Sequence, residues 1–222
     1  MHAKRKYEDL HTHKGMRKLL VEELRAKGIT DEAVLTAINN VPRHYFLDTA
    51  FEKIAYENRA FPIAADQTIS HPYTVAYQTQ LLQIQKTDRV LEICTGSIDQ
   101  TSILAEMGVQ KIFTIERQKK LYDLHSVYVF KTKYLNIQFF YGDGFAGLPT
   151  YGPFTKILIT CGAPHIPEKL IEQLAPGGIM VIPVDEGEAQ RMLRIKKLPD
   201  GSLLEERFEE FSFVPMLAGK NH

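Results

Sequence analysis

The chain has 222 residues, 44% hydrophobic, 24% charged and 10% aromatic, proportions that exclude a disordered or collagen-like polymer. Its 27 Lys plus Arg balance 27 Asp plus Glu, so the basic excess of a phosphate-backbone binder is missing and nucleic acid is not an expected partner. The longest stretch without a formal charge, Gln67 to Gln85, is too polar for a membrane span, and no apolar signal core follows the basic N-terminus. Two cysteines, Cys94 and Cys161, offer neither a disulfide framework nor a zinc quartet. They are expected to be packing residues, in a protein of the reducing cytoplasm.

Met16, Leu19, Leu20 and Leu24 recur at three- and four-residue steps, which predicts a helix over 13–26 closed by Gly28. A second helix follows, with Thr30 as the expected N-cap, Asp31 and Glu32 at the positive end of the dipole, and Val34, Leu35 and Ile38 as the buried stripe. Periodicity is lost over 41–71, where Pro42 and Pro62 punctuate a loop-rich cover. After Pro72 the chain reads as helical again. From Arg89 short apolar runs alternate with amphipathic stretches, the pattern of a parallel α/β sheet. Strands are predicted at 89–94, 111–116, 137–142, 156–161 and 178–184, with helices near 100–108, 118–131 and 167–175. The last two apolar runs, 192–198 and around Phe208 to Val214, flank the turn residues Pro199, Asp200 and Gly201 and predict an antiparallel hairpin on the sheet edge. The expected architecture is one α/β domain with a doubly wound, mostly parallel sheet, residues 1–71 covering a core of residues 72–222.

Ligands of open parallel sheets gather at the carboxyl ends of the strands. Glu116 closes the second strand twenty residues beyond Gly96, the spacing at which a carboxylate accepts hydrogen bonds from both ribose hydroxyls of an adenosine. Asp143, between Gly142 and Gly144 after the next strand, is placed to accept from an adenine amino group, with the glycines allowing close backbone approach. The plainer readings are a dipole charge at Glu116 and a simple turn at Asp143. His44, His71 and His165 have no nucleophile at a readable spacing and are read as structural.

The strings DQTISHPYTVA at 66–76, VLEI from Val90 with TGS from Thr95, LAEMG at 104–108, IERQ at 115–118, GDGFAGLP at 142–149, GAPHIP at 162–167 and FVPML at 213–217 span nearly the whole chain. With them the sequence resembles the protein L-isoaspartate O-methyltransferase family. The resemblance implies a Rossmann-like methyltransferase fold and methyl transfer from S-adenosylmethionine to the α-carboxylate of isoaspartyl residues in damaged proteins. It implies Ser70 as the active-site serine, with Val214 beside it in the peptide groove. Around the cofactor it implies Ile69, Glu92, Gly96, Ser97, Glu116, Arg117, Asp143 and Gly144, with no metal; the oligomeric state stays open, a monomer being favoured. A carboxylate substrate is already ionised at neutral pH, so the chemistry needs placement rather than a strong base. Ser70, two residues before Pro72, is also an expected helix N-cap.

The resembled family's nucleotide loop reads roughly EIGTGSGYQ, whereas this chain has Glu92, Ile93, Cys94, Thr95, Gly96, Ser97, Ile98, Asp99 and Gln100. An Ile in the left-handed conformation costs about 1–2 kcal/mol, and its side chain is expected to occupy ligand space. Asp99 is expected to set a negative charge close to the cofactor carboxylate. These departures open a second reading, a homologue that keeps the fold and peptide groove but binds the cofactor poorly. A third, an NAD-dependent dehydrogenase, is opposed by the incomplete GxGxxG. Thr155, where the resembled family more often has Asp, is placed ahead of the fourth strand and expected to matter little.

Overall fold

The computed structural model describes residues 7–125, 130 and 132–221. Helices α1 (His11–Ala26) and α2 (Glu32–Asn40) open the chain. The buried face of α1 is His13, Arg17, Leu20, Val21 and Leu24, while Leu19 is 73% exposed, so the stripe is rotated from the one its leucines suggest. Two polar residues hold core positions there. Arg17 does so because its guanidinium is fully engaged, donating to both carboxylate oxygens of Asp9, the Tyr56 hydroxyl and the Asn39 carbonyl. The cap of α2 is Asp31 rather than Thr30: its Oδ1 accepts from Ala33 and Val34 N–H at 2.9 and 3.2 Å, and Thr30 N–H goes to Gln80.

The stretch 41–71 is more ordered than its missing periodicity implied. Two 3-10 turns, Arg43–Phe46 and Thr49–Ile54, precede β1 (Phe61–Pro62), which pairs antiparallel with β2 (Thr68–Ile69). Ala65 and Asp66 turn this hairpin at φ +59° and +54°, a conformation tight turns exploit. Strands of two residues carry no readable alternation. Ile69 is buried, which anchors the hairpin and delivers Ser70 to the start of α3 (Pro72–Leu82).

The rest is an alternation of β3 (Arg89–Ile93), α4 (Asp99–Glu106), β4 (Lys111–Glu116), α5 (Lys119–Leu124), β5 (Ile137–Tyr141), β6 (Phe154–Ile159), α6 (Glu168–Gln173) and β7 (Leu174–Asp185), then β8 (Gln190–Lys197) and β9 (Leu203–Phe211). The sheet order is β5-β4-β3-β6-β7-β8-β9, parallel from β5 to β7 and antiparallel through β8 and β9. This is the doubly wound sheet with an edge hairpin that the sequence predicts. The hairpin turn holds Gly201 at φ +86° and Ser202 N–H on the Asp200 carboxylate at 3.0 Å. β6 starts two residues earlier than expected and takes Thr155 into the strand. There its hydroxyl donates to Asp88 at 2.7 Å and accepts from Arg89 N–H at 2.9 Å, so Thr155 ties β6 to the start of β3. Of the helix expected over 118–131, Lys119–Leu124 is helical, and 126–129 and 131 lie outside the described residues.

Side chains alternate across the central strands. Leu91, Ile93, Ile157, Ile159, Met180 and Ile182 join the core on one face, and Val90, Ile112, Leu158, Ile179 and Val181 the core on the other. Burial on both faces is why these strands read as continuous apolar runs. Each such side chain contributes roughly 1.5–3 kcal/mol when fully buried. The chain runs outward from β3 through β4 to β5, then returns to β6 on the other side of β3. The β3/β6 gap is therefore the switch point where a ligand crevice forms. Among the described residues no helix is long and apolar enough to cross a membrane.

Candidate active site

A cavity of about 690 Å³, including its open mouth, lies over the carboxyl ends of β3, β4 and β6. Its place, at the switch point of the strand order, is where ligands of open parallel sheets bind. Its walls bring together Ile69, Ser70, Gly96, Ser97, Glu116, Arg117 and Val214. Gln67, Thr68 and Thr160, to which the sequence reading assigns no site role, also line it. The hairpin geometry that would have pointed to the first two is invisible in a two-residue strand.

Gly96 sits at φ +54°, where a side chain would be strained, and its N–H donates to Glu116 Oε2 at 2.9 Å. Gln118 N–H donates to Glu116 Oε1 at 2.7 Å. Burial pushes the Glu116 carboxyl up from its ordinary range, opposed by those two N–H groups and by Arg117. A carboxylate has about four acceptor sites. Two are spent on the loop, and the others fit a diol presented from the cavity.

Asp143 and Gly144 stand outside the cavity wall. The Asp143 carboxylate accepts from Phe145 N–H and, through Oδ2, from Gly219 N–H, each at 2.9 Å, so the C-terminal segment holds the oxygen expected to meet an adenine. Gly144 is required by packing rather than by a ligand: a Cβ there would stand 2.4 Å from Ile93 Cγ2. Glu92 also faces away from the cavity. It is fully buried beneath α4, accepts from the Thr101 hydroxyl at 2.6 Å, and has its pKa raised by burial to about 7.

Ser70 does not cap α3. The cap position is His71, with no side-chain hydrogen bond, and Pro72 begins the helix. The Ser70 hydroxyl has no partner among the described residues and is available to the cavity. Its carbonyl accepts from Arg43 Nη2 at 2.5 Å. The Val214 carbonyl is engaged by Gly162 N–H at 2.8 Å, while Val214 N–H makes no backbone bond among the described residues. His71 is held below its ordinary pKa by burial and by the charge of Arg43.

Two expectations about the nucleotide loop are corrected and a third is modified. Cys94 and Cys161 are disulfide-bonded, because the neighbouring strands β3 and β6 end side by side with the two Cα atoms 6.2 Å apart. The two cysteines expected to be separate packing residues are thus one bonded pair. Ile98 does adopt the left-handed conformation, at φ +74°, but its side chain is 6% exposed and joins the apolar cluster of Leu81, Leu104 and Val181, away from the cavity wall. Asp99 does line the cavity, as expected, but it is 3% exposed and ion-paired, its Oδ2 accepting from Arg43 Nη1 at 2.5 Å, so the charge it brings there is offset by Arg43. Arg43, between Pro42 and His44 in an otherwise apolar run, was missed. A cation buried among apolar neighbours is the signal that marks it.

The family model for protein-L-isoaspartate(D-aspartate) O-methyltransferase matches residues 15–221. The chain is 51% identical over 214 residues to the protein-L-isoaspartate O-methyltransferase of Cytophaga hutchinsonii, covering 96% of each chain. It is 47% identical to that of Christiangramia forsetii over 96% of this chain and all of the other. A Plasmodium falciparum structure assigned to the same enzyme, in complex with S-adenosyl-L-homocysteine, shares the fold at a TM-score of 0.79 and 24% identity, covering 95% of this chain and 99% of that one. With a match over nearly its full length, the chain belongs to the protein-L-isoaspartate(D-aspartate) O-methyltransferase family.

Proposed function

We propose that the cavity over β3, β4 and β6 binds S-adenosylmethionine and directs methyl transfer to the α-carboxylate of isoaspartyl residues in damaged proteins. The observation that carries this reading is the meeting of Ser70, Glu116 and Val214 on one cavity wall at the sheet's switch point. When bound, the cofactor supplies an electrophilic methyl group on a sulfonium. Glu116 would hold the ribose diol through its two unspent acceptor sites, and Gly96, Ser97, Ile69 and Arg117 would form the rest of the cofactor's surroundings. The Ser70 hydroxyl would donate to one oxygen of the substrate carboxylate and so hold that carboxylate in place. Val214 N–H takes a peptide carbonyl, which reads the displaced backbone of an isoaspartyl linkage. Positioning of this kind lowers a two-reactant barrier by several kcal/mol, and no general base is needed.

The test is transfer of label from radioactive S-adenosylmethionine to an isoaspartyl peptide and to its normal aspartyl twin. Labelling confined to the isoaspartyl peptide is expected. Equal labelling of the two would reject the substrate assignment, and absence of saturable S-adenosylhomocysteine binding would reject the cofactor.

A further inference from the structure

We propose that Arg43 and Asp99 form a buried positioning pair that locks the Ser70 segment to the nucleotide loop, so that serine and cofactor loop are held as one unit. This rests on the reading of Ser70 given above.

Arg43 donates from Nη1 to Asp99 Oδ2 and from Nη2 to the Ser70 carbonyl, both at 2.5 Å. The two side chains are 5% and 4% exposed. Asp99 is the first residue of α4, directly after the loop, and its N–H reaches Ser97 Oγ at 3.3 Å. The guanidinium therefore bridges the segment that carries Ser70 and the nucleotide loop that leads into α4. Arg43 does not line the cavity over β3, β4 and β6, so it acts through Ser70 rather than on substrate. It lies instead in a small apolar space with Val75, Ile103 and Tyr56, where low polarity strengthens the ion pair.

The planar fork of arginine is what allows one side chain to serve two acceptors on separate elements. A lysine ammonium keeps the charge but lacks the fixed fork. A tether on the Ser70 carbonyl fixes the peptide plane there and with it the direction of the serine side chain. A sub-ångström error at such a residue is felt in the chemical step rather than in cofactor affinity.

The experiment is a double-mutant cycle in the full chain, comparing Arg43→Lys, Ser70→Ala and the combination. For each protein kcat with an isoaspartyl peptide, Kd for S-adenosylhomocysteine and Tm are measured. Arg43→Lys is expected to lower kcat at least tenfold while Kd changes less than threefold. In the Ser70→Ala background the same change should cost less than twofold, because there is no hydroxyl left to position. Equal cost in both backgrounds, or an unchanged kcat in Arg43→Lys, overturns the positioning role. A parallel fall of Tm, affinity and activity assigns the pair to folding alone and overturns it too. Wild-type kcat in Ser70→Ala defeats the reading of Ser70 itself, a separate outcome. Asp99→Asn, which keeps the size and an acceptor for Arg43, is the second arm should Arg43→Lys not fold. Its expected three- to tenfold loss in kcat should likewise vanish in the Ser70→Ala background, and persistence of the loss there overturns the proposal.

Discussion

Cys94 and Cys161 are joined across the gap between β3 and β6, 67 residues apart in sequence and 6.2 Å apart at Cα. Closing a loop of that length removes conformational freedom from the unfolded chain worth about 4 kcal/mol. For a domain of this size each kcal/mol moves Tm by roughly 2–4 °C. Thermal melting with and without a thiol reductant should therefore differ by about 10 °C. Cys161→Ala should melt near the reduced protein and be insensitive to reductant. An unchanged Tm on reduction, with loss of the bond verified by thiol counting, would show that the bond contributes nothing.

Glu92 makes stability depend on pH. Burial raises its pKa to about 7 against an ordinary value of 4.5. A carboxyl whose folded pKa is raised contributes stability that is full below pH 4.5 and is lost as pH rises through about 7. Buried His125, held down to about 4, acts in the opposite sense, its contribution present above about 6.5 and lost on acidification. The difference between wild type and Glu92→Gln cancels the histidine. Between pH 4.5 and 8 that difference should shift in favour of the glutamine by on the order of 2–3 kcal/mol. A flat difference in denaturant melts would remove Glu92 as the titrating group.

Much of the fold is legible in the sequence because the parallel strands are buried on both faces. Val90, Leu91 and Ile93 have no solvent side, so their run stands out against the flanking amphipathic helices. What escaped reading depends on pairing between distant residues. Arg17 and His13 displace Leu19 from the core because their partners Asp9 and Glu52 arrive from other segments. The site follows the same division. Glu116 and Gly96 are visible through their spacing, while the engagement of Asp143 by Gly219, 76 residues away, and the neutralisation of Asp99 by Arg43 exist only once the chain has closed.

Glu116 offers a direct test of the cofactor site. Glu116→Gln retains one oxygen acceptor and the side-chain volume but loses the charge. Hydrogen bonds to a charged acceptor are worth about 1.5–3 kcal/mol, so S-adenosylhomocysteine should bind about ten- to a hundredfold more weakly by calorimetric titration. The peptide KM should move little. Unchanged affinity would mean that the diol does not meet this carboxylate.

Restoring the family pattern at Ile98 and Asp99 should not strengthen cofactor binding, although the loop's departures suggest that it would. Ile98→Gly relieves about 1–2 kcal/mol of backbone strain, but it removes a nearly buried side chain whose truncation costs about 2–5 kcal/mol. The net expectation is a loss of stability. No space is gained in the cavity that holds Ser70 and Glu116, because Ile98 packs into the cluster of Leu81 and Leu104 and does not line it. Asp99→Tyr is worse: it leaves the Arg43 guanidinium buried without its counter-charge, and breaking a buried pair in this way costs about 3–5 kcal/mol. The double variant should melt well below wild type while its affinity for S-adenosylhomocysteine improves less than threefold. Tenfold tighter binding in Ile98→Gly alone would mean that the isoleucine turns into the cavity when the ligand arrives.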